Sequence, residues 1–342
     1  MRFDPPCCPY ARCPSRRRGL TPILTYRGSY VRRCDGRRVP RFRCRRCHRS
    51  FSSQTFRLDY RQRKPWLNAR IAHFLCAKTT LRKTAEILGV DRKTVELRLD
   101  LFGRHCRELH EAFLERYRAR AGGLRGSMMM DELETFEVDR RLFPITVPVL
   151  IEEHTYFVVH VDTAPLGPRG GLKEADRKRL ARHVALHGPR RNRSREAVRR
   201  TLEAWRRHAA PGGATQLSTD RKSTYRPLLR SVFAGQGVSH SVYSSKSPRT
   251  HGNPLFPINH TNAMLRDSLS RLVRRTWGNS KKRLRLKSHL WVFVVFRNYV
   301  REITRAAPRV SAAMALGVAG RRWKWSEVLR WRVPFVPLFG FA

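Results

Sequence analysis

Carboxylates are scarce in this chain, 26 Asp and Glu against 72 Lys and Arg, so their placement is informative. Seven fall between positions 131 and 153: Asp131, Glu132, Glu134, Glu137, Asp139, Glu152 and Glu153. Asp131 and Glu132 follow the apolar Met128-Met129-Met130, as if at the middle of a first strand. Asp220 ends another strand-like run, Leu217-Ser218-Thr219-Asp220. Carboxylates at adjacent strand ends can hold two Mg²⁺ or Mn²⁺ ions, which activate water and stabilise the leaving oxygen in phosphodiester chemistry. On spacing alone, Asp131 also fits a turn cap and Asp220 the cap of a following helix.

Thiols form the second cluster. Six of the eight cysteines lie in the first 47 residues. Cys8-x4-Cys13 and Cys44-x2-Cys47 are closely spaced pairs, and four thiolates brought together tetrahedrally make a closed structural zinc site. Cys7, Cys34 and His48 are spare candidates. No apolar leader follows Met1, which favours metal over disulfides. Residues 1–60 are rich in arginine, and a unit of this size needs a staple because it buries little core.

Residues 61–120 carry apolar side chains at helical spacing, among them Leu67, Ile71, Leu75, Leu81, Ala85, Leu88, Val95, Leu99 and Phe102. Leu81 to Leu88 predicts one short helix, Gly89-Val90 a turn, and Asp91 to Phe102 a second helix capped by Asp91. Small Ala85 at the crossing and Val90 buried after the turn fit a helix-turn-helix DNA-binding domain. Arg92, Lys93, Thr94 and Arg98 would then face a major groove, with Glu86 and Glu96 on exposed faces. Residues 121–127 read as a linker.

Residues 127–305 alternate between strands and helices, the pattern of an α/β domain. Ile145 to Ile151 and Tyr156 to Val161 have the composition of buried strands. Residues 166–215 read as a basic helical insertion. A helix near Tyr225 to Phe233, a strand at Val238 to Tyr243, and helices over Thr261 to Thr276 and Leu284 to Thr304 follow. Residues 306–342 form a basic, tryptophan-containing C-terminal tail. The longest strongly apolar run, Leu290 to Phe296, is far short of the roughly 20 residues a membrane span needs.

A net charge of +46 over 342 residues is self-repulsive in a compact state unless a polyanion neutralises it. Nucleic acid is the expected partner. A hydrophobic content of 41% argues against wholesale disorder.

Three patches in fixed order resemble one known family. The first is Arg41-Phe42-Arg43-Cys44-Arg45-Arg46-Cys47-His48-Arg49-Ser50-Phe51-Ser52 with the helix-turn-helix pattern behind it. The second is Met130-Asp131-Glu132 together with Thr219-Asp220-Arg221-Lys222-Ser223-Thr224-Tyr225. The third is Asn262-Ala263-Met264-Leu265-Arg266, running on to Arg271-Leu272-Val273-Arg274-Arg275-Thr276 and Ser280-Lys281. Together they cover residues 8 to about 300 and resemble the insertion-sequence transposases of the InsA/InsB type, the family of the first-described bacterial insertion sequence. The resemblance implies a zinc ribbon, a helix-turn-helix and an RNase H-like domain. It implies DDE chemistry on double-stranded DNA, at terminal inverted repeats and a target, with two divalent metals. It further implies a homo-oligomeric synaptic complex and a prokaryotic, cytoplasmic, nucleoid-associated location.

Carried over, Asp131 matches the first catalytic aspartate and Asp220 the second. The third departs from the family, whose acid falls where this chain has Asn259. Asn259 and His260 are the nearest substitutes, and Asp267 and Glu132 are alternatives. Arg271, Arg274 and Arg275 are expected to hold phosphates beside the site. The missing acid leaves a second expectation: a catalytically inactive, transposase-derived DNA-binding regulator.

Overall fold

A computed structural model describes residues 3–17, 20–212, 215–248, 250–273, 277–303 and 309–331. Arg274 and Arg275 lie outside the described residues. The described residues form two compact units, one from Met1–Arg70 with Trp325–Ala342, the other from Ile71–Lys324.

The first unit holds a short helix, α1 (Pro14–Arg17), and an antiparallel sheet in the order β1 (Leu24–Val31), β2 (Arg38–Cys44), β3 (Ser50–Ser52). Its small core joins Cys8, Cys13 and Cys44 to Phe42 and Phe51. Asp59 is buried there and takes charge-assisted bonds from Arg57 (2.8 Å) and Arg32 (3.1 Å). α2 (Asn68–Leu75) leaves this region.

In the second unit, α3 (Leu81–Ile87) is capped by Thr80 and α4 (Arg92–Ala121) by Asp91, whose carboxylate accepts from the Lys93 amide at 2.7 Å. Gly89 makes the turn at φ +59°, a conformation glycine adopts without strain. The second helix therefore does not stop near Phe102. It runs 30 residues to a left-handed Gly122, because its apolar stripe continues through Cys106, Leu109, Phe113 and Leu114, all buried. These helices belong to the same compact unit as the strands that follow.

The main sheet has the order β6-β5-β4-β8-β9, with β7 on the other half of β5. The strands are β4 (Gly126–Phe136), β5 (Pro144–Glu152), β6 (Val158–Val161), β7 (Ala164–Pro165), β8 (Thr215–Asp220) and β9 (Val238–Tyr243). β5 is antiparallel to both neighbours, while β8 and β9 are parallel to β4. Every residue of β5 is buried, as suits a strand covered on both faces. The expected insertion is two helices, α5 (Glu174–His187) and α6 (Ser194–His208). Only α6 has an apolar stripe, and it buries Ala197, Val198, Leu202 and Trp205. Asp162, fully buried after β6, pairs with Arg200 of α6 (2.6 Å) and with Lys287 (2.7 Å).

α7 (Tyr225–Val232) and α8 (Phe256–Ser268) follow, then α9 (Arg283–Val295), which continues as a π-helical turn to Val300. α8 begins earlier and ends earlier than its sequence pattern suggests. Arg271 consequently falls in a 3-10 turn (Ser270–Leu272) rather than on a helix face. Among residues expected to form a basic, tryptophan-containing tail, α10 (Ala312–Ala315) buries Ala312 and Ala313, and Trp323 packs edge-on against Phe113 at 5.3 Å. Trp325, in the short α11 (Trp325–Val328) of the first unit, is also buried. No helix among the described residues is long and apolar enough to cross a membrane.

α4 and α9 meet at Gly103, where a Cβ would stand 2.5 Å from the Ser288 Cα. Replacing it therefore forces the two backbones apart. Gly103→Ala is expected to destabilise the protein by about 1–3 kcal/mol, read as a lower Tm in thermal denaturation.

Candidate functional site

The thiol cluster assembles as the spacing predicts. The Cys8, Cys13, Cys44 and Cys47 sulfurs all lie within 4.8 Å of one another. Four sulfurs held tetrahedrally about 2.3 Å from zinc are about 3.8 Å apart. The Cys8–Cys47 and Cys13–Cys44 Sγ separations are 3.7 and 3.8 Å. Burial acts to raise the Cys13 thiol, but hydrogen bonds from Ser15 and the neighbouring thiols outweigh it, lowering the pKa to about 7. Burial pushes Cys7, which is outside the cluster, up to about 11. All-sulfur donors with no open position fit a structural zinc. If zinc is held here, metal analysis returns one zinc per chain. Cys44→Ser is then expected to lose it and to make the first 70 residues protease-sensitive.

The acidic site rests on strand register. β4 and β8 pair from Gly126↔Thr215 to Met129↔Ser218. Asp131 and Asp220 each lie two residues beyond that last pair, level with each other where the pairing ends. β4 remains paired with β5 through Phe136, so its other edge is open and forms one wall of a depression of about 620 Å³. Asp131, Asp220, Asn259, Asn262, Asp267 and Lys78 line it.

The Asp131 carboxylate accepts from the Glu132 amide (2.7 Å) and from Asn262 Nδ2 (2.8 Å). Asp220 Oδ1 accepts from the Lys222 amide at 3.1 Å. Tyr225 is buried behind them. Its burial and the negative charges of Glu132, Asp131 and Asp220 raise its hydroxyl far above the usual range. Asn262 Oδ1 is buried and has no hydrogen-bond partner among the described residues. A buried acceptor costs free energy unless a donor or a cation meets it.

The four candidates for the third position separate. Asn259 lies three residues before Asn262 on α8, on the same face, and lines the depression. His260 is not among the lining residues. Its ring packs on Tyr156 (5.5 Å) and Phe256 (6.0 Å), and burial with Arg297 and Arg301 lowers its pKa. Asp267 lines the depression but pairs with Lys78 at 3.3 Å.

Glu132 is nearly buried. It accepts from Thr146 Oγ1 (2.6 Å), Ser194 Oγ (2.7 Å) and Lys222 Nζ (2.6 Å). Three donors, one of them a cation, occupy most of its acceptor sites and leave it little capacity for an ion. These bonds join β5, α6 and the segment after β8 to the residue beside Asp131. Of the three donors only Lys222 stands in a motif the sequence offers, and without this role; Thr146 and Ser194 come from distant segments with no local signal.

On α4, Arg92 and Lys93 are exposed and Thr94 and Arg98 are half-buried. Glu96 is not on an exposed face: it is held by Arg92 (3.3 Å) and Arg285 (2.9 Å). Val90 is half-buried rather than buried. Arg271 is a clear correction. It is only 8% exposed, and burial with the nearby Arg285 charge lowers its pKa to about 10, so it does not face a phosphate.

No protein-family model matches the chain, and no curated protein matches it. Among solved structures it is similar to the catalytic domain of Mos1 mariner transposase, at 12% identity over 58% of this chain and 90% of that one, with a TM-score of 0.22. At that level the likeness carries no weight, and strand register and side-chain geometry carry the functional reading.

Lys222 has a testable part in the site. Its amide holds Asp220 while its ammonium holds Glu132. If Asp131 and Asp220 hold a divalent cation, Lys222→Met is expected to keep the fold by circular dichroism yet weaken Mn²⁺ binding about 10-fold, as loss of a supporting bond typically does.

Proposed function

We propose that the chain is a DDE-type DNA transposase resembling the InsA/InsB group, with an RNase H-like catalytic unit. The observation that carries this is the level placement of Asp131 and Asp220 at the mouth of an open strand pair. Carboxylate oxygens with the orphaned Asn262 Oδ1 make an oxygen-only donor set, which fits Mg²⁺ or Mn²⁺. Such ions would supply charge neutralisation at the phosphate and a more acidic water.

The remaining work falls to the chain's own residues. Asp131 and Asp220 set the position of the scissile phosphodiester. Asn262 keeps Asp131 oriented and offers the third oxygen that the family takes from an acid. Asn259 stands one turn away on the same face. Lys222 and Glu132 keep the two strand ends in register. In this reading the α3–Gly89–α4 segment is the helix-turn-helix, with Arg92 and Lys93 reaching DNA. The four-cysteine unit is a zinc ribbon that adds phosphate contacts through its arginines. The charge of +46 is matched by DNA.

Duplex cleavage with Mn²⁺ tests the proposal. Asp131→Asn and Asp220→Asn are each expected to abolish strand cleavage while leaving duplex affinity within a factor of about two, since neither contributes positive charge. Cleavage that survives both changes overturns the assignment. The inactive-regulator reading draws on one feature, the lack of a third unengaged acid in the cleft among the described residues. Tight duplex binding by the unaltered, folded protein with no Mn²⁺-dependent cleavage supports it instead.

A further inference from the structure

The depression at Asp131 and Asp220 does not end there. It adjoins a second of about 560 Å³, sharing Glu134, Arg266 and Val273, and the second adjoins a third of about 650 Å³, sharing Glu134 and Arg169. The three depressions thus lie side by side, joined by shared lining residues, and together outline a groove. Its origin lies in the fold. β4 outruns β8, so its open edge lines the groove beyond Met129.

Charge changes sign along this path. The first depression is lined by Asp131, Glu132, Glu134, Asp220 and Asp267 against Lys78 and Arg266. The second is lined by Arg140, Arg169 and Arg266 against one acid, Glu134. The third is lined by Arg169, Arg195 and Lys222 against the same acid. Glu134 is itself neutralised by Arg169 at 2.7 Å. Arg140 and Arg195 are exposed and have no acidic partner among the described residues. An exposed arginine row beside an acidic head is what a polyphosphate chain needs if one of its phosphates is to reach the carboxylates.

Aromatic surface accompanies the charge. Phe136 lines the second depression. Trp277 is fully exposed, a rare state for the largest apolar side chain. Its loop is anchored at the same end of β4, through Asn279 Nδ2 to the Val138 carbonyl (3.0 Å) and a bridge between Ser280 and Glu137. Exposed arginines in the groove, with Phe136 in its lining and Trp277 exposed on the segment anchored at the end of β4, suit unpaired bases better than a duplex, whose bases are already stacked.

We infer that this groove binds a single-stranded segment of DNA adjoining the cleavage point, with phosphates on Arg140 and Arg195 and a base stacked on Trp277. The inference rests on the proposed nuclease reading for its orientation but not for its binding chemistry.

The test uses the full chain carrying Asp131→Asn, so that substrate stays intact, and two fluorescent DNAs of equal length, one blunt and one forked. Arg140→Ala with Arg195→Ala is expected to weaken forked-DNA binding about tenfold, to lower its salt dependence by one to two phosphate contacts, and to leave blunt-DNA binding within about twofold. Trp277→Ala should reduce the preference for the fork without changing the salt dependence. Glu134→Gln should tighten fork binding, a gain that mere structural damage does not produce. Equal losses on both DNAs, or no loss on the fork, overturn the inference. A chain whose Asp131→Asn variant still cleaves, but whose arginine pair still selects the fork, keeps the groove and loses the catalytic assignment.

Discussion

The central constraint is the point at which β4 and β8 stop pairing. A parallel pair that continued past Met129 and Ser218 would bury Asp131 and Asp220 in a ladder and leave no room for a phosphate. β4 can part from β8 because β5 holds it from Met128 to Phe136. The split places two carboxylates level with each other at a crevice beyond the ends of parallel hydrogen bonding, where open α/β sheets form their sites. α8 crosses the opening and brings Asn262 to Asp131. On the other side Glu132 gathers Thr146, Ser194 and Lys222, so the segments flanking the crevice are fastened through one buried carboxylate.

Much of this was legible in the sequence. Asp131 in mid-strand, Asp220 at a strand end and the four clustering cysteines were all read from local patterns. Short-range patterns of this kind survive folding because they depend on neighbours a few residues apart. The insertion was also visible, since Gly167-Pro168 and Pro211-Gly212-Gly213 bound a basic, helix-prone stretch.

What failed depended on phase or on distant partners. α8 starts at Phe256, five residues before the expected Thr261, and that start decides which of Asn259, His260 and Asn262 faces the crevice. Arg271 looked like part of a basic helical face, but the helix ended at Ser268 and the chain turned inward. α4 outruns the helix expected over Asp91 to Phe102 because its apolar spacing continues to Leu114. Glu132 resembled a candidate ligand until its three donors, all from other segments, came into view.

The packing of α4 has a consequence for accuracy. Its contact with α9 at Gly103 brings the helix backbone directly against Ser288, and Glu96 near its start is clasped by Arg285 of α9. Lys78, just before α3, meets Asp267 at the crevice wall. In the proposed reading, the segment that recognises sequence is thus bolted to the segment that cuts, with no tether to stretch. A ruler of that stiffness converts a recognised base pair into one cut coordinate. The ends such a protein produces would be uniform to the nucleotide, and a slack joint at Gly103 would show as ragged ends before it showed as lost activity.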